Sequence, residues 1–217
     1  MSIDPRGRNL ERVADLRLTG KESMTTQASD IHITLPDWLS GFASGCAVLE
    51  SVDDRMAFVI EASRTNIRAG TGGPFAAAVF EAATGRLVSL GVNLVVHANL
   101  SVLHAEIVAI TLAQRALRTY DLHGGGLPHH ELVTSTEPCT MCYGAILWSG
   151  ITRLVCGARG DDARRIGFDE GPRLTDWAAP LEQRGLAVSR DIRRDAAAAV
   201  LAEYHRTGGR IYNARGC

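Results

Sequence analysis

The sequence predicts one α/β domain of three layers, with helices covering both faces of a sheet. Three observations carry that prediction. From Asp53 onward, short β-branched runs alternate with segments of helical periodicity. Turn residues separate the two kinds of segment at short intervals, and neither an internal repeat nor a linker interrupts the pattern. With 217 residues, 46% of them hydrophobic and 22% charged, the chain is also long enough to bury a full core.

Residues 1–35 read as an extension ahead of a domain at 36–217, because roughly the first thirty mix Arg, Glu, Asp, Ser and Thr with little periodicity. The extension is expected to be disordered, and Met24 is an alternative start that one sequence does not decide. A short helix is expected around Pro36-Asp37-Trp38, with Pro near its start and Trp38, Leu39 and Phe42 on one side. Asp53 and Asp54 offer caps for a helix in which Met56, Val59, Ile60 and Ile67 recur at helical spacing, and Gly70 ends it. Residues 74–80 and 87–93, joined by a turn at Thr84-Gly85, read as a hairpin.

A helix over 104–118 is expected to bury Ile107, Ile110, Leu112 and Leu117. Residues 132–136 form a strand, Pro138 opens a helix through Trp148, which is expected to pack at the helix end, and 153–156 is the next strand. A helix at 162–166, a loop at 167–172, a helix at 177–184, a short strand at 186–189 and a long Ala-rich helix from 191 to 205 complete the domain.

The formal net charge is −1, without the basic excess by which proteins grip a phosphate backbone. A small, weakly charged substrate is expected, and a nucleic acid is disfavoured. No apolar stretch reaches the ~18 residues of a membrane span, and no apolar run follows the charged first residues, so neither membrane nor secretory leader is expected. The five cysteines, Cys46, Cys139, Cys142, Cys156 and Cys217, are an odd number in a chain read as cytoplasmic. A disulfide framework is therefore not expected, and the close pair Cys139/Cys142 points to metal or redox chemistry.

The chemistry concentrates in His104-Ala105-Glu106 and Pro138-Cys139-Thr140-Met141-Cys142. Zinc accepts imidazole nitrogen and thiolate sulfur, and a Cys-x-x-Cys at a helix start brings both sulfurs to one point where the helix N-terminus favours thiolate. His104 opens a different helix, so the two N-termini can face each other across one ion. Three protein ligands leave a position for water, and Glu106 stands where it can move that water's protons without binding the metal. Two plainer readings compete. A redox pair leaves His-x-Glu unexplained; a structural zinc site needs a fourth ligand, for which His97 is available from an unstructured stretch. His32, His123, His129, His130 and His205 read as surface or loop residues.

At these motifs the sequence resembles the cytidine deaminase superfamily, in its His-Ala-Glu branch of tRNA adenosine deaminases and guanine deaminases, over about residues 53–215. The stretches 72–80, 136–139, 167–172 and 211–215 resemble bacterial guanine deaminases in particular. The resemblance implies a central five-stranded mixed sheet, one zinc ion per subunit held by His104, Cys139 and Cys142, and Glu106 as general acid and base. It also implies a homodimer whose C-terminal segment crosses to the partner's site. Asn93 matches a base-reading asparagine, Phe75 an aromatic that stacks on the ring, and Phe168 its opposite wall. Glu170 matches an acidic residue at the purine edge, with Asp169 beside it as the alternative, and Tyr212 falls in the closing tail.

The implied reaction is guanine plus water to xanthine plus ammonia, with Glu170 as anchor and second proton shuttle. Guanine presents N1–H and its 2-amino group side by side, two donors that suit one carboxylate, whereas adenine offers a lone pair at N1. Burying a carboxylate against that lone pair costs several kcal/mol. The rivals are a tRNA adenosine deaminase, a deaminase of another ring with the same amino–amide edge (an aminotriazine or pterin), and a zinc-binding protein without turnover.

Overall fold

A computed structural model describes residues 30–46, 48–172 and 174–213. The predicted extension up to residue 29, Met24 within it, and Cys217 lie outside the described residues. Residues 30–33 form neither helix nor strand. The compact unit that carries the site begins at Thr34.

The expected five strands are present: β1 Ala76–Glu81, β2 Leu87–Val92, β3 His130–Thr136, β4 Arg153–Ala158 and β5 Ala187–Ser189, in the order β2-β1-β3-β4-β5. β1 runs antiparallel to β2 and β3, while β3, β4 and β5 are parallel, so the sheet is mixed. The hairpin needs only its turn, whereas each parallel pair needs a crossover. The helices are α1 Asp37–Ser44, α2 Val52–Arg68, α3 Val95–Ala98, α4 Ala105–Leu117, α5 Thr140–Trp148, α6 Gly160–Arg165, α7 Ala179–Glu182 and α8 Arg194–Arg206. α2 and α8 pack on each other and against β3 and β4, while α4 packs on β1 and β2 and touches α5.

Helices on both faces leave the central strands no solvent side, and every residue of β3 is buried, His130, Glu131, Thr134, Ser135 and Thr136 among them. Burying Glu131 is tolerable because Arg55 of α2 donates to its carboxylate at 2.5 Å and Arg153 approaches at 3.6 Å. Arg55 directs its other donors to the carbonyls of Leu49 and Glu50. His130, read as a surface residue, is instead fully buried, with Nδ1 bonded to the Leu122 carbonyl at 2.7 Å.

Several boundaries differ from the expectation, each for a local reason. Ser51 caps α2, accepting from Asp54 N–H at 3.0 Å, so Asp53 and Asp54 belong to the first turn, where their charge meets the positive helix end. α4 buries Val108, Ala109, Ile110 and Ala113, leaving Ile107, Leu112 and Leu117 only half-buried. The helix lies so close to β2 that a Cβ on Gly91 would meet the Ala109 nitrogen at 2.4 Å, and that closeness favours alanine on the inward face. Trp148, expected to pack at the end of α5, is 81% exposed.

Candidate metal and catalytic site

His104 and Cys139 are the N-cap residues of α4 and α5, both with extended backbone (ψ 156° and 172°) that turns the side chain over the helix start. Cys142 follows one turn into α5 and is buried. His104 Nδ1 lies 3.4 Å from the Cys139 sulfur and 3.6 Å from the Cys142 sulfur. A tetrahedral zinc with bonds of about 2.05 Å to nitrogen and 2.3 Å to sulfur separates such atoms by about 3.6 Å. The side chains therefore stand where a zinc ion requires them. Among the described residues they are the one group of three with this geometry. His97 does not join them: it sits exposed on α3, a short helix in the stretch expected to be unstructured.

The electrostatics agree with a cation site. Hydrogen bonding from the Cys142 thiol, reinforced by His104, draws Cys139 down to about 4 against the opposing effect of burial. Cys142 is pushed well above its ordinary value, by its bond to Cys139 and by burial. One thiolate is thus stable in the bare protein, and the second needs a positive charge beside it. Glu106, in the first turn of α4 and 6% exposed, is raised to about 7 by burial and by the neighbouring Cys139 charge. A carboxyl that titrates near neutrality can both take and give a proton.

Above the ligands lies a cavity of about 460 Å³, and all the site residues named from the sequence line it except Cys142. Asn93, 1% exposed, follows β2, and its Oδ1 accepts from Val95 N–H at 3.3 Å, which fixes the amide plane. Its backbone is held as well. The amide of Asn66 in α2 donates to the carbonyls of both Asn93 (3.0 Å) and Gly73 (2.9 Å). Gly72 is obligatory in this clamp, since a Cβ there would come within 1.8 Å of the Asn93 carbonyl oxygen.

Phe75 precedes β1 rather than lying in it, and stands half-buried on the cavity wall. It meets Phe168 edge-on at 5.0 Å, and Phe168 meets Tyr212 at 5.0 Å in the same manner. The Tyr212 hydroxyl is buried, has no hydrogen-bond partner among the described residues, and faces Gly73 so closely that a Cβ there would lie 2.5 Å away. Tyr212 and Asn213 line the cavity together with the metal-site residues.

The loop at 167–172 separates its two acidic residues. Glu170 is buried on the cavity wall; Asp169 is exposed, and one of its oxygens accepts from Gly171 N–H at 2.8 Å. Two residues absent from the sequence-based candidates hold this loop. Thr140, between the cysteines, donates its hydroxyl to the Pro172 carbonyl (2.7 Å), and its backbone N–H to the Glu170 carbonyl (3.1 Å). Asn213 accepts from Asp169 N–H (2.9 Å) and donates to the Gly167 carbonyl (2.8 Å). Glu137, another omission, is buried beside Cys139 and binds Gly160 N–H (2.9 Å) and Arg190 (2.7 Å), which joins the α5 turn to the start of α6. Both Thr140 and Asn213 lie inside segments that carry motifs; what sequence lacks is the partner loop that gives them a role.

A His–Cys–Cys zinc set with an adjacent buried carboxyl, on a five-stranded mixed sheet, defines a zinc-dependent hydrolytic deaminase. Residues 49–158 match the cytidine and deoxycytidylate deaminase zinc-binding region, and the chain belongs to this family. Among curated relatives, the guanine deaminase of Bacillus subtilis is 36% identical over 54% of this chain and 71% of its own length. A tRNA-specific adenosine deaminase of Buchnera aphidicola is 33% identical over 55% of this chain and 72% of its own. Among solved structures, a guanine deaminase from Nitrosomonas europaea is 49% identical, superposing with a TM-score of 0.80 over 84% of this chain and all of its own.

Proposed function

We propose that this protein hydrolyses guanine to xanthine and ammonia. The observation that carries the reading is the buried Glu170 on the wall of a cavity that also holds Glu106 and the zinc ligands. A carboxylate there accepts from guanine N1–H and the 2-amino group together, and would oppose the N1 lone pair of adenine. One zinc ion per subunit, held by His104, Cys139 and Cys142, supplies the Lewis acidity that makes water nucleophilic near neutral pH.

The chain's own groups do the rest. Glu106 takes a proton from the attacking water and passes it to the ring nitrogen beside C2. Glu170 anchors the edge as an acceptor; as the C2 hydroxyl becomes a carbonyl it takes up the proton released there and delivers it to the amine, which departs as ammonia. Asn93 orients the base through the amide that Val95 fixes. Phe75 and Phe168, in edge-on contact at 5.0 Å, leave no space for a ring between them and together offer one aromatic wall to the base, and Tyr212 adds a buried hydroxyl. Water and guanine, together, supply every atom of xanthine and ammonia.

The tRNA adenosine deaminase reading is weaker. The chain carries a formal net charge of −1, without the basic excess that grips a phosphate backbone. Among the described residues no helix is long and apolar enough to cross a membrane. We place the enzyme in the cytoplasm as a homodimer; the exposed apolar side chain of Trp148 on α5 supports association. The test is ammonia release by zinc-loaded protein offered guanine, adenine, guanosine, cytidine and an adenosine-bearing tRNA stem-loop, with Glu106→Ala as control. Release from guanine, abolished in the variant, is expected; release from the stem-loop and none from guanine would overturn the reading.

A further inference from the structure

We infer that Asn66 is a positioning residue for Asn93, oriented from outside the cavity by a hydrogen-bond relay that starts at Trp38 of α1. The inference deepens the proposed function and rests on its assignment of Asn93 to orienting the base.

The direction of each bond in the relay follows from the chemistry of its members. The indole of Trp38 can only donate, and its Nε1–H meets the Thr71 hydroxyl oxygen at 3.0 Å. That hydroxyl has one proton to give. The Asn66 side-chain oxygen takes it at 2.7 Å, the shorter of two contacts with Asn66, whose backbone carbonyl lies at 3.3 Å. The Asn66 nitrogen then faces the carbonyls of Gly73 (2.9 Å) and Asn93 (3.0 Å), which can only accept. Asn66 is fully buried, so bulk water does not compete for these bonds, and its partners fix which way the amide points.

Where the relay ends gives it a role in the site. The last paired residues of the β1–β2 hairpin are Ala76 and Val92. One further backbone bond runs past them, from Asn93 N–H to the Phe75 carbonyl at 3.0 Å. Next to it the Asn66 amide bridges the two chains at Gly73 and Asn93. Asn93 is thus held at its N–H by Phe75, at its carbonyl by Asn66 and at its side-chain oxygen by Val95. Gly72 permits this approach, since a Cβ there would lie 2.7 Å from the Asn66 nitrogen as well as against the Asn93 carbonyl. Asn93 lines the cavity, whereas Trp38, Thr71 and Asn66 do not. The relay therefore acts on the site through Asn93 and its backbone. It also ties the site to α1, which precedes the residues 49–158 that match the family. Trp38 itself packs edge-on against Phe42 at 5.7 Å, and Phe42 meets Phe58 of α2 at 5.0 Å, so the relay starts from a packed aromatic group.

Thr71→Val removes the hydroxyl in the middle of the relay and keeps the side chain's shape; Thr71→Ser keeps the hydroxyl. Both are compared with Asn66→Ala for kcat/KM with guanine, zinc content and unfolding midpoint. Asn66→Ala is expected to lower kcat/KM about 10- to 100-fold and Thr71→Val about 3- to 10-fold, with Thr71→Ser within about twofold of the parent and zinc retained throughout. A second readout needs no substrate. The side-chain amide pair of Asn93 in heteronuclear NMR spectra, assigned as the pair lost in Asn93→Ala, is expected to shift in Thr71→Val and return in Thr71→Ser. An amide pair that Thr71→Val leaves in place would overturn the inference, and so would a Thr71→Val rate within about twofold of the parent or a loss equalled by Thr71→Ser. The two Thr71 variants decide the matter even if Asn66→Ala does not fold. A parent enzyme that releases no ammonia from guanine would defeat the proposed function instead, and the amide pair would still report on the relay.

Discussion

Replacing Glu170 by glutamine changes one oxygen into an amide nitrogen and leaves size and shape almost untouched. The carboxylate is buried on the cavity wall, so no bulk water compensates for a mismatched partner. Two charge-assisted hydrogen bonds to the guanine edge are worth about 1.5–3 kcal/mol each. Glutamine retains one neutral acceptor worth about 1 kcal/mol and points its own donor at a donor of the base. The net loss is about 2–5 kcal/mol, or about 30- to 4000-fold in kcat/KM at about 1.4 kcal/mol per decade. The assay is initial-rate ammonia release from guanine by zinc-replete protein, with Asp169→Asn run beside it. Because Asp169 is exposed and its bond to Gly171 N–H survives as an amide acceptor, that variant is expected within about threefold of the parent. A Glu170→Gln enzyme within about fivefold of the parent, or an Asp169→Asn enzyme equally impaired, would refute the argument that burial separates the two carboxylates.

Removing zinc with a chelator is expected to abolish ammonia release, and added zinc to restore it. Cys139→Ser should lose both the metal and the activity, as read by metal analysis of the purified variant. The adjacent glycines should fail differently. Gly72→Ala drives a Cβ to within 1.8 Å of a backbone carbonyl that cannot move away, and is expected to cost about 3 kcal/mol in urea unfolding. Gly73→Ala meets only the Tyr212 ring, and displacing the tail forfeits an aromatic pair worth about 0.5–1.5 kcal/mol. It should therefore raise KM up to about tenfold with little change in stability. Asp162 is held at about 2 by its hydrogen bonds from Arg194, which outweigh burial. Its folded value lies below its unfolded one, so its contribution is present above pH ~4 and lost as the pH falls toward ~2. Solvent screening at its half-exposed arginine partners holds that contribution to about 1–2 kcal/mol. Asp162→Asn should accordingly be less stable at neutral pH, with the gap closing through that acid range in urea titrations at successive pH values.

The chemistry of this protein was legible in its sequence because metal binding and proton transfer need particular atoms at short, fixed chain spacing. His104 and Glu106 are two residues apart, Cys139 and Cys142 three, and each pair begins a helix, so local geometry brings them to one place once the helices form. The order of strands and helices was legible for the same reason: periodicity records which side of each element is buried. Contacts between distant segments were not. Ile107 and Leu112 carry the apolar signal of α4, yet Ala109 and Ala113 face inward, because the approach to Gly91 is a property of helix and sheet together. His130 is read as a surface residue until the sheet that buries it is complete. Glu170 and Asp169 are adjacent, chemically alike and both on the cavity's lining; only the packing of their loop between Thr140 and Asn213 buries the first and leaves the second exposed. Residue types and local spacing determined which reaction the chain is equipped for. The tertiary structure decided which carboxylate is buried at the cavity and what holds it there, because those contacts join segments that the chain itself keeps tens of residues apart.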